Sequence, residues 1–118
     1  MWIMTNTGFY SIVQNRFNPD DPNDMLVRTR SKEDTDNFAA RLKELADYEA
    51  EPWHSTKSDY PYRLTAPREA VEKVVTSYAT DIDYTNFKAS VRSEKHYDAY
   101  SDVWYAMYGH FTGTKTLY

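Results

Sequence analysis

The sequence predicts an α+β domain in which two strand-strand-helix units, ββαββα in order, build a four-stranded, mainly antiparallel sheet followed by one or two C-terminal helices. Three observations carry that prediction. Two stretches repeat one pattern, an aromatic strand, then a strand carrying arginine, then an amphipathic helix, over residues 8 to 46 and again over 52 to 80. Apolar residues alternate in the strand segments and recur at three and four in the helical ones. At 118 residues the chain is the size of one domain with one ordinary core.

The first unit opens on Trp2–Thr5 and residues 8 to 16, read as one strand that bends at Gly8, where glycine accommodates a bulge or close backbone approach. The turn formers Asn18-Pro19-Asp20-Asp21-Pro22-Asn23-Asp24 then join it to Asp24-Met25-Leu26-Val27-Arg28-Thr29-Arg30 as a wide hairpin. A calcium site in that loop is disfavoured, because it lacks the glycine and distal glutamate that such a loop needs. Ser31 is an N-cap with Asp34 three residues on, close to a capping box, so a helix begins at Lys32. Its stripe is Phe38, Leu42 and Leu45, with Ala39 and Ala46 beside them.

In the second unit Glu51-Pro52-Trp53-His54 begins a short strand, residues 60 to 65 form its partner and Pro67 opens a helix. Val71, Val74, Val75 and Tyr78 fall at i, i+3, i+4 and i+7, the cleanest helical signature in the chain. Residues 83 to 111 form the C-terminal part. Asp83-Tyr84-Thr85-Asn86-Phe87-Lys88 caps a short helix, and a last helix runs from about Tyr97 to Tyr108 with Tyr100, Trp104, Met107 and Phe111 on one face. That aromatic face is expected to cover part of the open sheet face or a sheet edge, or to pair in a homodimer. The tail from Gly113 to Tyr118 is expected to fray.

Composition narrows the chemistry. The chain has no cysteine, which removes disulfides, thiolate metal sites and a catalytic thiol, and fits a reducing cytoplasmic setting. No segment approaches the roughly 20 apolar residues that span a bilayer, and the start lacks the features of a signal peptide. His54, His96 and His110 have no metal-ligand spacing, and with three glycines there is no phosphate-cradling loop, so no metal and no cofactor is expected. The net charge is −4, and residues 31 to 59 hold twice as many acidic as basic side chains. Together with eleven tyrosines, amphipathic residues that suit interfaces, this favours a non-enzymatic protein-binding or regulatory module whose partner is another protein or a second copy.

Arginines supply the second reading, binding of a nucleotide or nucleic acid. Strand alternation puts Leu26, Arg28 and Arg30 on one face, and Pro61, Arg63 and Thr65 on the matching face of the second unit, opposite Tyr60, Tyr62 and Leu64. In a ferredoxin-like sheet Arg28, Arg30 and Arg63 then project away from the two repeat helices, a cluster suited to phosphate or carboxylate. The competing expectation is that they pair with Asp59, Asp83 or Asp98 beneath the C-terminal helices. Gly8-Phe9-Tyr10-Ser11-Ile12-Val13 is similar to an RNA-recognition strand but lacks the basic residue before the glycine, and the acidic total opposes strong phosphate-driven binding. A third reading, a small enzyme, rests on His54 and Asp59 as an acid–base pair near Arg63.

Trp2, Thr5, Gly8-Phe9-Tyr10-Ser11, Val13, Val27-Arg28, Arg30, Asp59-Tyr60, Tyr62-Arg63, Asp83-Tyr84, Asn86-Phe87-Lys88, Tyr100, Val103-Trp104 and Met107 together resemble a family of small bacterial and mobile-element proteins with no established activity. The likeness spans nearly the whole chain. It implies a link to mobile elements and a set of polar positions, Arg28, Arg30, Asp59, Arg63, Asp83, Asn86 and Lys88, that form either an ion-pair network or an open anion site. This chain departs from the family after Arg16, where relatives carry a longer basic, glycine-rich insert.

Overall fold

The computed structural model describes residues 1–113 and is an α+β fold with a single antiparallel sheet of five strands. Strands β1 (Trp2–Thr5), β2 (Gly8–Gln14), β3 (Asp24–Thr29), β4 (Trp53–His54) and β5 (Tyr62–Pro67) lie in the order β1-β2-β3-β5-β4. Helices are α1 (Lys32–Ala46), α2 (Arg68–Thr80), α3 (Phe87–Ser90) and α4 (Glu94–Thr112). The four-stranded expectation is corrected at the N-terminus. Residues 2 to 14 do not form one bent strand but reverse completely, with Thr5 paired to Gly8 across Asn6 and Thr7. Thr5 closes this turn by donating its hydroxyl to the Gly8 carbonyl (3.0 Å) while accepting the Thr7 amide (3.2 Å).

Gly8 is required there because a Cβ would lie 2.6 Å from the Tyr10 hydroxyl and 2.9 Å from the Asp34 carboxyl carbon. Directly opposed residues share a sheet face, so Tyr10, Ile12, Met25, Val27, Leu64 and Ala66 face the helices. Phe38 and Leu42 of α1 and Val71 and Val74 of α2 close over them. Inside this layer Tyr10 stacks on Tyr78 (5.7 Å, 10°) and tilts against Phe38 (5.2 Å). Leu45 departs from the predicted stripe, being exposed on a groove between α1 and α2.

Helix ends follow local chemistry. The Ser31 hydroxyl accepts the Asp34 amide at the start of α1 (3.1 Å), and Asp47 in the left-handed region (φ 50) ends it. Pro67 precedes α2 without a side-chain cap; instead the Arg68 amide donates to the Asn23 carbonyl (2.7 Å), tying the β2–β3 loop to the helix start. That loop is a hairpin connection in which Asn15 and Asn18 both donate to the Asp24 carboxylate (3.0 Å each).

The C-terminal segment meets the body at the β1 edge rather than across the open sheet face. The Tyr100 hydroxyl donates to the Thr5 carbonyl (3.0 Å), and Phe87 stacks on Tyr100 (5.6 Å). Helix α4 is longer than predicted because Ser93, read from sequence as part of a polar break, is its N-cap. Gly113 ends it with φ 79, and the remainder of the predicted fraying tail, 114–118, lies outside the described residues.

Candidate anion and base-stacking face

The face of the sheet opposite α1 and α2 carries the arginines. Arg28 of β3 and Arg63 of β5 are direct cross-strand partners, as are Arg28 and Ser11, so all three side chains share one face. Trp53 is the cross-strand partner of Arg63, and Trp2 is that of Ser11, which puts both indoles on the same side. Phe9, two residues before Ser11, belongs to it by alternation and meets Trp2 edge to face (6.1 Å).

Tyr60 organises the cluster. Strict alternation places it with Tyr62 and Leu64 on the helix side, but β5 starts only at Tyr62, so Tyr60 lies outside the strand, where alternation no longer applies. The buried Tyr60 ring instead receives the guanidinium of Arg28 at 4.7 Å and that of Arg30 at 4.5 Å. Arg30 also lies 6.0 Å from the Phe9 ring. Such contacts contribute about 0.5–2 kcal/mol each and hold the cations in place without neutralising them.

Hydrogen bonds around the arginines end on neutral oxygens. Arg28 donates to the Ser11 hydroxyl (2.7 Å), Arg30 to the Asp59 backbone carbonyl (3.2 Å), and Arg63 to the Tyr60 carbonyl (3.1 Å) and the Ser58 hydroxyl. The Arg28 Nε is buried without a hydrogen-bond partner among the described residues. Among the described residues no ion pair includes Arg28, Arg30 or Arg63. The expected pairing with Asp59, Asp83 or Asp98 is therefore not what the fold adopts: Asp59 offers its main chain, and Asp83 and Asp98 are exposed.

The seven polar positions thus divide. Arg28, Arg30, Asp59 and Arg63 meet on the sheet face, whereas Asp83, Asn86 and Lys88 belong to the C-terminal segment. There Asn86 caps α3 by accepting the Ala89 amide (3.0 Å), and the Lys88 ammonium sits over Trp104 (4.8 Å). No hydrogen bond or ion pair among the described residues joins the two groups. His54 does not meet Asp59. Its ring is exposed and stacks on Tyr62 (4.7 Å, 9°), leaving no acid–base pair across the hairpin.

A polar cluster that sequence reasoning missed lies at the start of α1. The Asp34 carboxylate is not turned back toward Ser31 as a capping box would have it; it is buried, accepting the Phe9 amide (3.0 Å) and bonding His96 Nε2 (2.9 Å). The other ring nitrogen of His96 meets the Ser93 hydroxyl (2.7 Å). Ser93, His96 and Asp34 are thus in line, but the hydroxyl is occupied as the N-cap of α4, accepting the His96 amide (3.3 Å). The chain of contacts anchors α4. A signal existed only in part, as the cap pattern Ser93-Glu94-Lys95-His96.

Three phenols in and beside the core have pKa values raised by burial: Tyr10, Tyr78 and Tyr100. The Asp34 carboxylate adds to each shift by opposing a second negative charge nearby. Two grooves, of about 710 and 300 Å³, lie between α1 and α2 and beside β1, and neither is lined by an arginine of the sheet face. Among the described residues no group of three or more His, Cys, Asp or Glu side chains is arranged to hold a metal, and no helix is long and apolar enough to cross a membrane. Compared with known proteins, the chain matches no family model, no curated protein and no solved structure at a significant level.

Proposed function

We propose that the arginine-bearing sheet face binds single-stranded nucleic acid. The observation that supports this reading most directly is the set of three guanidinium groups gathered on one face whose hydrogen bonds, among the described residues, end on neutral acceptors. Phosphate supplies the missing negative charge in the planar, bidentate geometry that guanidinium prefers. Trp2, 72 % exposed, with Phe9 beside it and Trp53 across the sheet, offers rings on which unpaired bases stack. An antiparallel sheet surface with projecting rings matches splayed bases better than it matches a duplex groove.

The acidic remainder of the molecule sets the expected strength. With three phosphate contacts, log Kobs against log salt has a slope of about −2. The test is fluorescence anisotropy with labelled single-stranded oligonucleotides across a salt series. Binding with that slope, lost with Arg28→Ala and weakened about five- to 160-fold by Trp2→Ala, at about 1–3 kcal/mol per stacked base, supports the reading. No binding at low salt, or binding indifferent to both substitutions in folded protein, refutes it.

A second reading, a protein-binding module, is favoured by one separate feature, the exposed aromatic stripe on the distal half of α4.

A further inference from the structure

The structure assigns a partner to that stripe: we infer that the distal half of α4 pairs with the same segment of a second copy of this chain, antiparallel about a two-fold axis. The inference does not depend on nucleic-acid binding. Helix α4 is joined to the body through its first two turns, by His96 to Asp34 and Tyr100 to Thr5. Beyond them Trp104 is 48 % exposed, Met107 58 %, Tyr108 50 % and Phe111 85 %. These four positions, i, i+3, i+4 and i+7, form one stripe along the helix.

The stripe is self-complementary. Its centre falls between Met107 and Tyr108, with Trp104 and Phe111 equally far to either side. A two-fold axis through that centre puts Trp104 of each copy against Phe111 of the other and Met107 of each against Tyr108 of the other. The first is an aromatic pair and the second a thioether on a ring, both favourable contacts. Residues 103–112 contain no Asp, Glu, Lys or Arg, and Lys88, over Trp104, belongs to the end of the stripe and not to its centre, so no like charges are brought together at the axis, as they are when a charged surface meets itself.

Preorganisation and area agree with this partner. Trp104 and Tyr108 already stack on each other (5.3 Å, 13°), and Lys88 over Trp104 holds the indole, so little side-chain freedom is lost on pairing. Large aromatic side chains exposed to this degree contribute roughly 500 Å² per copy. The total, about 1,000 Å², is at the lower edge for a specific interface, the size range of weak, reversible association.

Sedimentation equilibrium over a range from about 1 to about 200 µM tests the inference. The expected result is a concentration-dependent rise from 13.9 kDa to twice that mass. Met107→Glu brings two carboxylates together near the axis and is expected to weaken association at least tenfold, with circular dichroism unchanged, and melting temperature unchanged at dilution where both proteins are monomeric, because the side chain is exposed. Tyr108→Lys is expected to do the same alone. Mixing the two variants restores a dimer, since the new acid of one copy faces the new base of the other. A wild-type mass of 13.9 kDa throughout, a dimer that survives Met107→Glu, or a mixture that stays monomeric overturns the proposal.

Discussion

Arg28 and Arg63 stand directly opposite each other across the β3–β5 pair, two cations on one face with no carboxylate among the described residues paired to either. Like charges in that relationship oppose folding by about 0.2–1 kcal/mol. Arg63→Gln removes one charge and retains a donor for the Ser58 hydroxyl or the Tyr60 carbonyl. Its unfolding free energy in urea is expected to stay level or rise by up to about 1 kcal/mol, while affinity for single-stranded oligonucleotides falls. A loss of more than about 1 kcal/mol would show that the arginine serves the fold instead.

The shared face of Arg28 and Arg63 was legible in the sequence because side-chain direction in a strand has period two, and both residues sit inside strands. Tyr60 was not. It lies one residue before Pro61 and outside β5, where alternation no longer applies, and it crosses to the arginine side. The β1–β2 reversal escaped because Asn6-Thr7 lacks the glycine that marks a two-residue hairpin, so Gly8, which does matter, read as a bend in one strand. Asp34 and His96 are 62 residues apart, and local patterns of caps and charges carry no information about such a contact.

Gly8 has no room for a side chain. The Tyr10 ring and the Asp34 carboxylate that a Cβ would strike are both buried, one wedged between Phe38 and Tyr78 and the other held by Phe9 and His96. Gly8→Ala is therefore expected to destabilise by about 1–3 kcal/mol, read as a lower urea midpoint with an unchanged slope. Wild-type stability in this variant would show that the first hairpin shifts freely.

Alkaline pH is expected to unfold the protein through its buried phenols. Burial raises the folded pKa of Tyr10, Tyr78 and Tyr100 above the unfolded value near 10. Their contribution is fully present below about pH 10 and is lost as pH rises toward the folded values, since the unfolded chain releases protons that the folded chain keeps. The slope is about 1.4 kcal/mol per pH unit for each phenol, or roughly 4 for three. Tyr10→Phe should reduce that slope by about a third with less than about 1 kcal/mol lost at neutral pH, because its hydroxyl approaches those of Tyr78 and Thr7 without good hydrogen-bond geometry. Urea midpoints measured from about pH 8 to pH 11 check both statements.

His96 and Asp34 form the tie between α4 and the rest of the molecule, and the two sides of it are unequal. Asp34 is buried and also holds the Phe9 amide, so losing it affects the first hairpin as well as α4. His96→Ala leaves the carboxylate with one partner fewer and is expected to destabilise by about 1–3 kcal/mol. Amide exchange should separate the effects: His96→Ala accelerates exchange in α4 while β2 and β3 remain protected, and Asp34→Ala accelerates β2 too. Because the residues touch, the double variant should be less destabilised than the sum of the singles by about 0.5–3 kcal/mol. Strict additivity would mean that the contact contributes nothing, and that Tyr100 on the Thr5 carbonyl holds the helix by itself.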